Sequence, residues 1–229
     1  MKLGGFQKVS LLDFPNRIST VVFTSGCAFR CGYCFNPKLA LACPETRIDE
    51  EDLFTYLRKR KGLLEGVVVS GGEPTLQPGL CEFIRKVKEL GFEVKLDTCG
   101  YFPDALETIL DSGLIDYVAM DIKAPIEKYS SATNVPVSSE KIRESIRVIF
   151  HSGVPYEFRS TLIDGVHTRN DVIEMAKMIA GARAYYLQRF RFTSDLLDPS
   201  FREKRAPSES FLSDVQKECG SYVDLCEVR

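Results

Sequence analysis

Ile18-Ser19-Thr20-Val21-Val22-Phe23-Thr24-Ser25-Gly26-Cys27-Ala28-Phe29-Arg30-Cys31-Gly32-Tyr33-Cys34 runs from an apolar stretch straight into three cysteines spaced C-x3-C-x2-C. The stretch Ile18 to Thr24 reads as a buried strand. On a helix, positions 27, 31 and 34 would share one face as ordinary core cysteines, but Gly26, Gly32 and Pro37 disfavour a regular helix there. A structural zinc site needs four closed ligands, and no nearby fourth residue fits well. Iron–sulfur cubanes take cysteine thiolates, normally four. A cubane held by Cys27, Cys31 and Cys34 alone keeps one iron open to a substrate or cofactor.

A strand–helix rhythm continues from this loop. The pattern predicts helices over 49–61, 78–90, 103–111, 138–151, 170–180 and 207–218. It predicts strands over 66–70, 92–96, 114–120, 156–162 and 184–192, with a short one over 222–228. Pro78 and Pro103 stand near helix starts, and Gly91, Gly113, Gly153 and Gly181 stand past helix ends. About six strand–helix repeats imply parallel strands with crossover helices, too few for the closed eight-stranded barrel. The expected fold class is α/β, an open, partial (β/α)6 barrel of TIM type. It is expected as a single domain over 1–229: a lead-in segment 1–17 with turn signals, a barrel core 18–192 and a C-terminal extension 193–229. The segment Ala124–Val137 is the longest loop, either a plain surface connection or a rim that meets substrate.

The chain has 229 residues, 44% of them hydrophobic, which is enough for one sizeable domain. A net charge of −2 does not suggest nucleic acid or an anionic membrane as a partner. No apolar run approaches the roughly 20 residues that span a bilayer, and the N-terminus has no long apolar signal region. Three of the eight cysteines crowd together in poor geometry for mutual disulfides, so a reducing cytoplasm is the expected compartment. Cys43, Cys81 and Cys99 read as small buried hydrophobes, and so do Cys219 and Cys226, unless these last two pair or bind a metal.

In parallel α/β sheets, ligands bind at the carboxyl ends of the strands. The polar motifs fall there: Ser70-Gly71-Gly72-Glu73-Pro74, Asp97-Thr98-Cys99-Gly100, Asp121-Ile122-Lys123, then Arg159, Ser160 and Thr161, and Gln188. Gly71-Gly72 would let the backbone approach a ligand closely, or simply make a tight turn, and Glu73 offers a carboxylate to an ammonium group. Asp97, Asp121 and Lys123 could equally form an ion pair closing the barrel mouth. His151 and His167 sit in no metal-ligand pattern and are not expected to be catalytic.

With Tyr33 at the aromatic position of C-x3-C-x-aromatic-C, the loop resembles the signature of radical S-adenosylmethionine (SAM) enzymes. The wider stretch from Gly5 to Pro37 resembles the activating enzymes of glycyl-radical proteins, most closely those of anaerobic ribonucleoside-triphosphate reductase. The resemblance implies a [4Fe-4S] cluster on Cys27, Cys31 and Cys34, with SAM chelating its open iron. It implies that Gly71, Gly72 and Glu73 hold the SAM amino group, that the Tyr33 backbone lies near adenine, and that Gln188 bonds adenine or ribose. It further implies a monovalent cation near the SAM carboxylate at Asp97, Thr98 and Asp121, with Lys123 facing the site. A flavodoxin or ferredoxin would donate the electron, and a glycyl-radical enzyme would be the protein substrate. The family usually has Asn after the first cysteine and His after the third; here Ala28 and Phe35 stand there, so the partner contact or the cluster's surroundings differ. The alternatives are a radical SAM enzyme acting on a small molecule, an activator of pyruvate formate-lyase or of another glycyl-radical enzyme, and a non-enzymatic iron–sulfur or zinc protein.

Overall fold

The computed structural model describes residues 1–43, 47–192 and 195–229. Strands β1 (Leu3–Ser10), β2 (Ser19–Thr24), β3 (Gly66–Gly71), β4 (Glu93–Thr98), β5 (Tyr117–Asp121), β6 (Tyr156–Leu162), β7 (Tyr185–Arg189) and β8 (Cys226–Val228) form one sheet. They lie side by side in chain order. β1 runs antiparallel to β2, and every later neighbouring pair is parallel. The outermost strands, β1 and β8, are not neighbours, so the curled sheet stays open as a partial barrel.

Helices α1 (Pro37–Ala40), α2 (Glu50–Arg58), α3 (Leu80–Glu89), α4 (Pro103–Asp111), α5 (Tyr129–Thr133), α6 (Ser139–His151), α7 (Arg169–Met178) and α8 (Glu209–Cys219) fill the crossovers. Their apolar stripes explain the arrangement. On α3, Leu80, Phe83, Ile84 and Val87 recur at helical spacing and are all buried. Each contributes roughly 1.5–3 kcal/mol by leaving water. Helix starts are fixed by side chains: Asp49 caps α2, Ser208 caps α8, and Thr168 with Asp171 forms a reciprocal capping box on α7. No helix among the described residues is long and apolar enough to cross a membrane.

Most of the apolar core lies between the sheet and its helices. A second, small cluster of Phe14, Val21 and Val68 lies inside the barrel. Phe14 comes from the β1–β2 connection and packs at the start of β3. A Cβ on Gly66 would come within 2.6 Å of its ring, so only glycine fits there. This connection stoppers the end of the barrel opposite the cysteine loop.

Two segments differ from the expectation. The lead-in segment contains β1, hidden from a period-2 reading because it carries Gly4 and Gly5 and alternates poorly. The long loop Ala124–Val137 holds a 3-10 turn (Ile126–Lys128) and α5. It buttresses the cysteine loop: the Arg30 N–H donates to the Thr133 carbonyl at 2.8 Å, and Asn134 Nδ2 donates to the Arg30 carbonyl.

Candidate active site

The cysteine loop leaves β2 and is held by its own backbone. Gly26 N–H donates to the Leu39 carbonyl and Cys27 N–H to the Ala40 carbonyl, folding α1 back against the loop's root. Arg30 donates to the carbonyls of Cys27 and Phe29, and Cys34 N–H closes a turn on the Cys31 carbonyl. Phe29 is buried against Tyr101 and Tyr129. Gly32 lies under Phe201; a Cβ there would be 2.6 Å from that ring. Cys27, Cys31 and Cys34 all line one cavity of about 280 Å3 at the carboxyl ends of the strands. Among the described residues, no group of three or more His, Cys, Asp or Glu gathers tightly enough for a single metal ion. Three thiol donors on one cavity wall fit a multi-iron cluster, whose sulfurs grip separate irons.

The Gly71–Glu73 turn lines the same cavity, and its glycines are required for close packing within the protein. The close approach is to protein backbone. A Cβ on Gly71, whose φ is +109°, would lie 2.4 Å from the Thr24 nitrogen, and one on Gly72 would lie 2.1 Å from the Gly26 carbonyl oxygen. Without side chains, Gly72 N–H reaches the Thr24 carbonyl and Glu73 N–H reaches the Gly26 carbonyl at 2.8 Å. The turn is thereby welded to the root of the cysteine loop.

Glu73 also braces the protein itself. Its side chain is 0% exposed. Oε1 accepts from Thr75 N–H, Thr75 Oγ1 and Thr98 Oγ1, and Oε2 accepts from Cys99 N–H at 2.7 Å. Three of these bonds crowd Oε1, while Oε2 keeps one further acceptor site. It is a strut between β3 and β4. Thr98 is committed with it, giving its proton to Glu73 while accepting from Gly100 N–H.

Three carboxylates and three cations interlock inside the barrel. Lys95, 2% exposed, donates to the Asp13 carbonyl at 2.5 Å and pairs with Asp97 and Glu157. Arg159 pairs with Asp121 at 2.9 Å and Asp97 at 3.4 Å, and Lys123 takes the other Asp121 oxygen at 2.9 Å. Burial disfavours the Asp121 charge, but Arg159 and Lys123 outweigh it and hold the carboxyl well below the usual range. Asp97 differs: its buried Oδ1 accepts no hydrogen bond.

The cysteines titrate unequally. Burial pushes the Cys31 thiol up to about 11 and raises Cys34, while Cys27 is lowered, chiefly by a side-chain hydrogen bond with Cys99. Lys123 favours the thiolate at all three. Burial raises the Tyr33 phenol. Its ring packs on Phe201.

The cavity brings together Cys27, Cys31, Tyr33, Cys34, Gly71, Gly72, Glu73, Asp97, Thr98, Asp121, Lys123 and Gln188, every site position singled out from sequence. Ser160 stays outside, donating to the Ile122 carbonyl and accepting from Tyr185. His167 is likewise structural: Nδ1 accepts from Ile163 N–H, Nε2 faces the Lys123 carbonyl, and burial keeps it neutral. Sequence reading placed Arg159 on the rim without naming its partners and did not single out Lys95 or Glu157. The signal was present: charged residues alternate with apolar ones along β4 and β6, marking an inward polar face.

The Radical SAM superfamily model matches residues 21–179. A Methanocaldococcus jannaschii protein, provisionally named a glycyl-radical enzyme activating enzyme, is 32% identical over 99% of this chain and 95% of its own length. The pyruvate formate-lyase-activating enzyme of Clostridium pasteurianum is 35% identical over 53% of this chain and 52% of its own. Among solved structures, Streptococcus suis SuiB bound to S-adenosylmethionine is similar at TM-score 0.69 and 15% identity, over 91% of this chain and 49% of that one. TYW1 with a lysine-pyruvate adduct is similar at TM-score 0.64 and 14% identity, over 90% of this chain and 74% of that one. These two likenesses concern the fold. The superfamily match across the cysteine loop and most of the barrel, with a relative matched nearly end to end, places the chain in the radical SAM superfamily, among the glycyl-radical enzyme activating enzymes.

Proposed function

We propose that this enzyme generates a glycyl radical on anaerobic ribonucleoside-triphosphate reductase, using a [4Fe-4S] cluster on Cys27, Cys31 and Cys34 and SAM at its open iron. The observation that carries the cluster assignment is the set of three cysteines on one cavity wall, welded through Gly72 and Glu73 to the strand ends beside it. When bound, the cluster supplies the electron, delivered by a flavodoxin or ferredoxin, for reductive cleavage of SAM and hydrogen abstraction from the partner's glycine.

The remaining work belongs to the chain. Tyr33, Gly71, Gly72 and Gln188 wall the cofactor, and Thr98 and Glu73 brace that wall from beneath. Lys123 and Arg159 neutralise Asp121 and present cationic surface to the SAM carboxylate. For a monovalent cation the cavity offers Asp97, whose Oδ1 accepts no hydrogen bond but faces Lys95 at 3.3 Å and Arg159 at 3.4 Å, so a bound cation would have to displace one of these two.

The test is electron paramagnetic resonance of the candidate reductase after anaerobic incubation with reduced enzyme and SAM. A doublet from a backbone carbon radical is expected. SAM cleavage to 5′-deoxyadenosine without that doublet refutes the substrate assignment. Pyruvate formate-lyase is the second partner to try, on the strength of the 35% identity to its activating enzyme. A small-molecule substrate would appear instead as a modified product in the absence of any protein partner.

A further inference from the structure

We infer that an apolar rim around the cavity mouth is the docking surface for the partner enzyme's glycine segment: an extended polypeptide stretch whose apolar side chains, on either side of the glycine, rest on Phe35, Leu41, Leu76 and Phe192. It rests on the reading of this chain as an activator of a glycyl-radical protein.

These four side chains are between 39% and 50% exposed. They come from three segments that leave the sheet at its carboxyl ends. Phe35 lines the cavity itself and stacks on Phe190 at 5.7 Å and 21°, which ties the cysteine loop to the exit of β7, two residues before Phe192. Leu41 follows Ala40, another lining residue, at the end of α1. Leu76 lies in the 3-10 turn after Glu73. A Cβ on Gly26 would have Leu76 Cδ2 at 3.8 Å and Ala42 Cβ at 4.0 Å, so that turn sits against the end of α1. Single apolar residues scattered over a surface need no explanation, but a group gathered at one opening marks a contact surface.

The occupant follows from the cavity. It measures about 280 Å3, near the low end of the size that holds one small ligand. A cofactor fills such a space. Of a protein substrate only the glycine can enter, helped by its lack of a side chain, and the chain on either side of it must cross the rim. A small-molecule substrate would be met within the cavity and would leave the rim without use. Phe35 is the natural centre of the contact, an aromatic ring held by stacking on Phe190 at the edge of the opening.

The experiment reads glycyl-radical formation by EPR against partner concentration, with enzyme reconstituted anaerobically and reduced in the presence of SAM. The partner is the candidate reductase, or pyruvate formate-lyase if only that enzyme acquires the doublet. Leu41→Gln, Leu76→Gln and Phe192→Gln change exposed side chains that do not line the cavity, so each should keep wild-type release of 5′-deoxyadenosine without partner. Each should raise the partner concentration for half-maximal radical formation by roughly 5–10-fold and leave the plateau rate unchanged. Leu76→Met, which stays apolar, should keep the wild-type value. So should Leu63→Gln, an exposed leucine in the α2–β3 connection at the other end of the barrel. A wild type that releases 5′-deoxyadenosine but leaves no doublet on either partner refutes the functional reading, and this surface falls with it. A doublet formed equally well by wild type and all three glutamine variants keeps the functional reading and overturns the rim. Equal weakening by Leu63→Gln or Leu76→Met overturns it too, as does loss of partner-free 5′-deoxyadenosine release, which would put these residues in the cofactor site. A change in the oligomeric state of the enzyme alone in these variants, read by size-exclusion chromatography, would assign the rim to a second copy of this chain instead.

Discussion

Glu73→Gln tests whether the carboxylate of the Gly-Gly-Glu turn is spent inside the protein. Glutamine keeps the size and shape of the side chain. In its better orientation the amide oxygen keeps Thr75 N–H, Thr75 Oγ1 and Thr98 Oγ1, and the amide nitrogen then meets the Cys99 N–H, two donors facing one another. The charged bond to Cys99 is lost and a buried N–H is orphaned, about 2–3 kcal/mol together. The three surviving bonds fall from charge-assisted to neutral, adding about 1–2 kcal/mol. The expected loss is therefore about 4 kcal/mol in the cluster-free protein. For a chain of this size that lowers the melting temperature by about 8–16 °C. Thermal denaturation of the apoprotein, followed by far-ultraviolet circular dichroism, reads it directly. If apo Glu73→Gln melts within about 2 °C of wild type and only its SAM affinity falls, the carboxylate faces the ligand and the strut argument is wrong.

Further outcomes follow from the same geometry. Gly72→Ala forces its new methyl against the Gly26 carbonyl, so the Glu73–Gly26 hydrogen bond must break; we expect a loss of about 2–3 kcal/mol in chemical denaturation and poorer iron loading. Cys27→Ala, Cys31→Ala and Cys34→Ala should each abolish SAM-dependent release of 5′-deoxyadenosine, and retention by all three would remove them as ligands. Asp121 has a depressed carboxyl, so the unfolded chain binds the extra proton and stability falls as pH drops below about 4. Asp121→Asn should therefore cost about 2–3 kcal/mol at pH 7 and flatten that acid limb, as read by urea midpoints across pH; an acid limb as steep as wild type would show that Asp121 is not its source. Replacing alkali ions with a bulky organic cation should weaken SAM binding if Asp97 seats a metal ion, and leave it unchanged otherwise.

The parallel core was legible because each unit announced itself locally. Strand β6, Tyr156–Leu162, and helix α4, Pro103–Asp111, fall where the apolar pattern, proline and glycine put them. The site was legible for a topological reason: in a parallel sheet every strand's carboxyl end lies on one side, so motifs far apart in sequence must converge. What was not legible depends on through-space pairing. Strand β1 has weak alternation and forms because β2 offers an edge. The partners of Glu73 come from a turn and from the next strand's exit, and nothing in the spacing of Glu73 and Cys99 indicates that one will hydrogen-bond the other. The close packing of Gly71 and Gly72 was hidden for the same cause: their neighbours are Thr24 and Gly26 of the adjoining segment.

The β1–β2 connection does more than plug a hole. Lys95 reaches from the carbonyl of Asp13 in that connection to the carboxylate of Asp97, which borders the cavity. One ammonium thus ties the sealed base to the reactive mouth. A lengthened or altered hairpin, far from any cysteine, would slacken that tether and let Asp97 swing, so changes at the base of the barrel would be felt as altered cofactor grip at its lip.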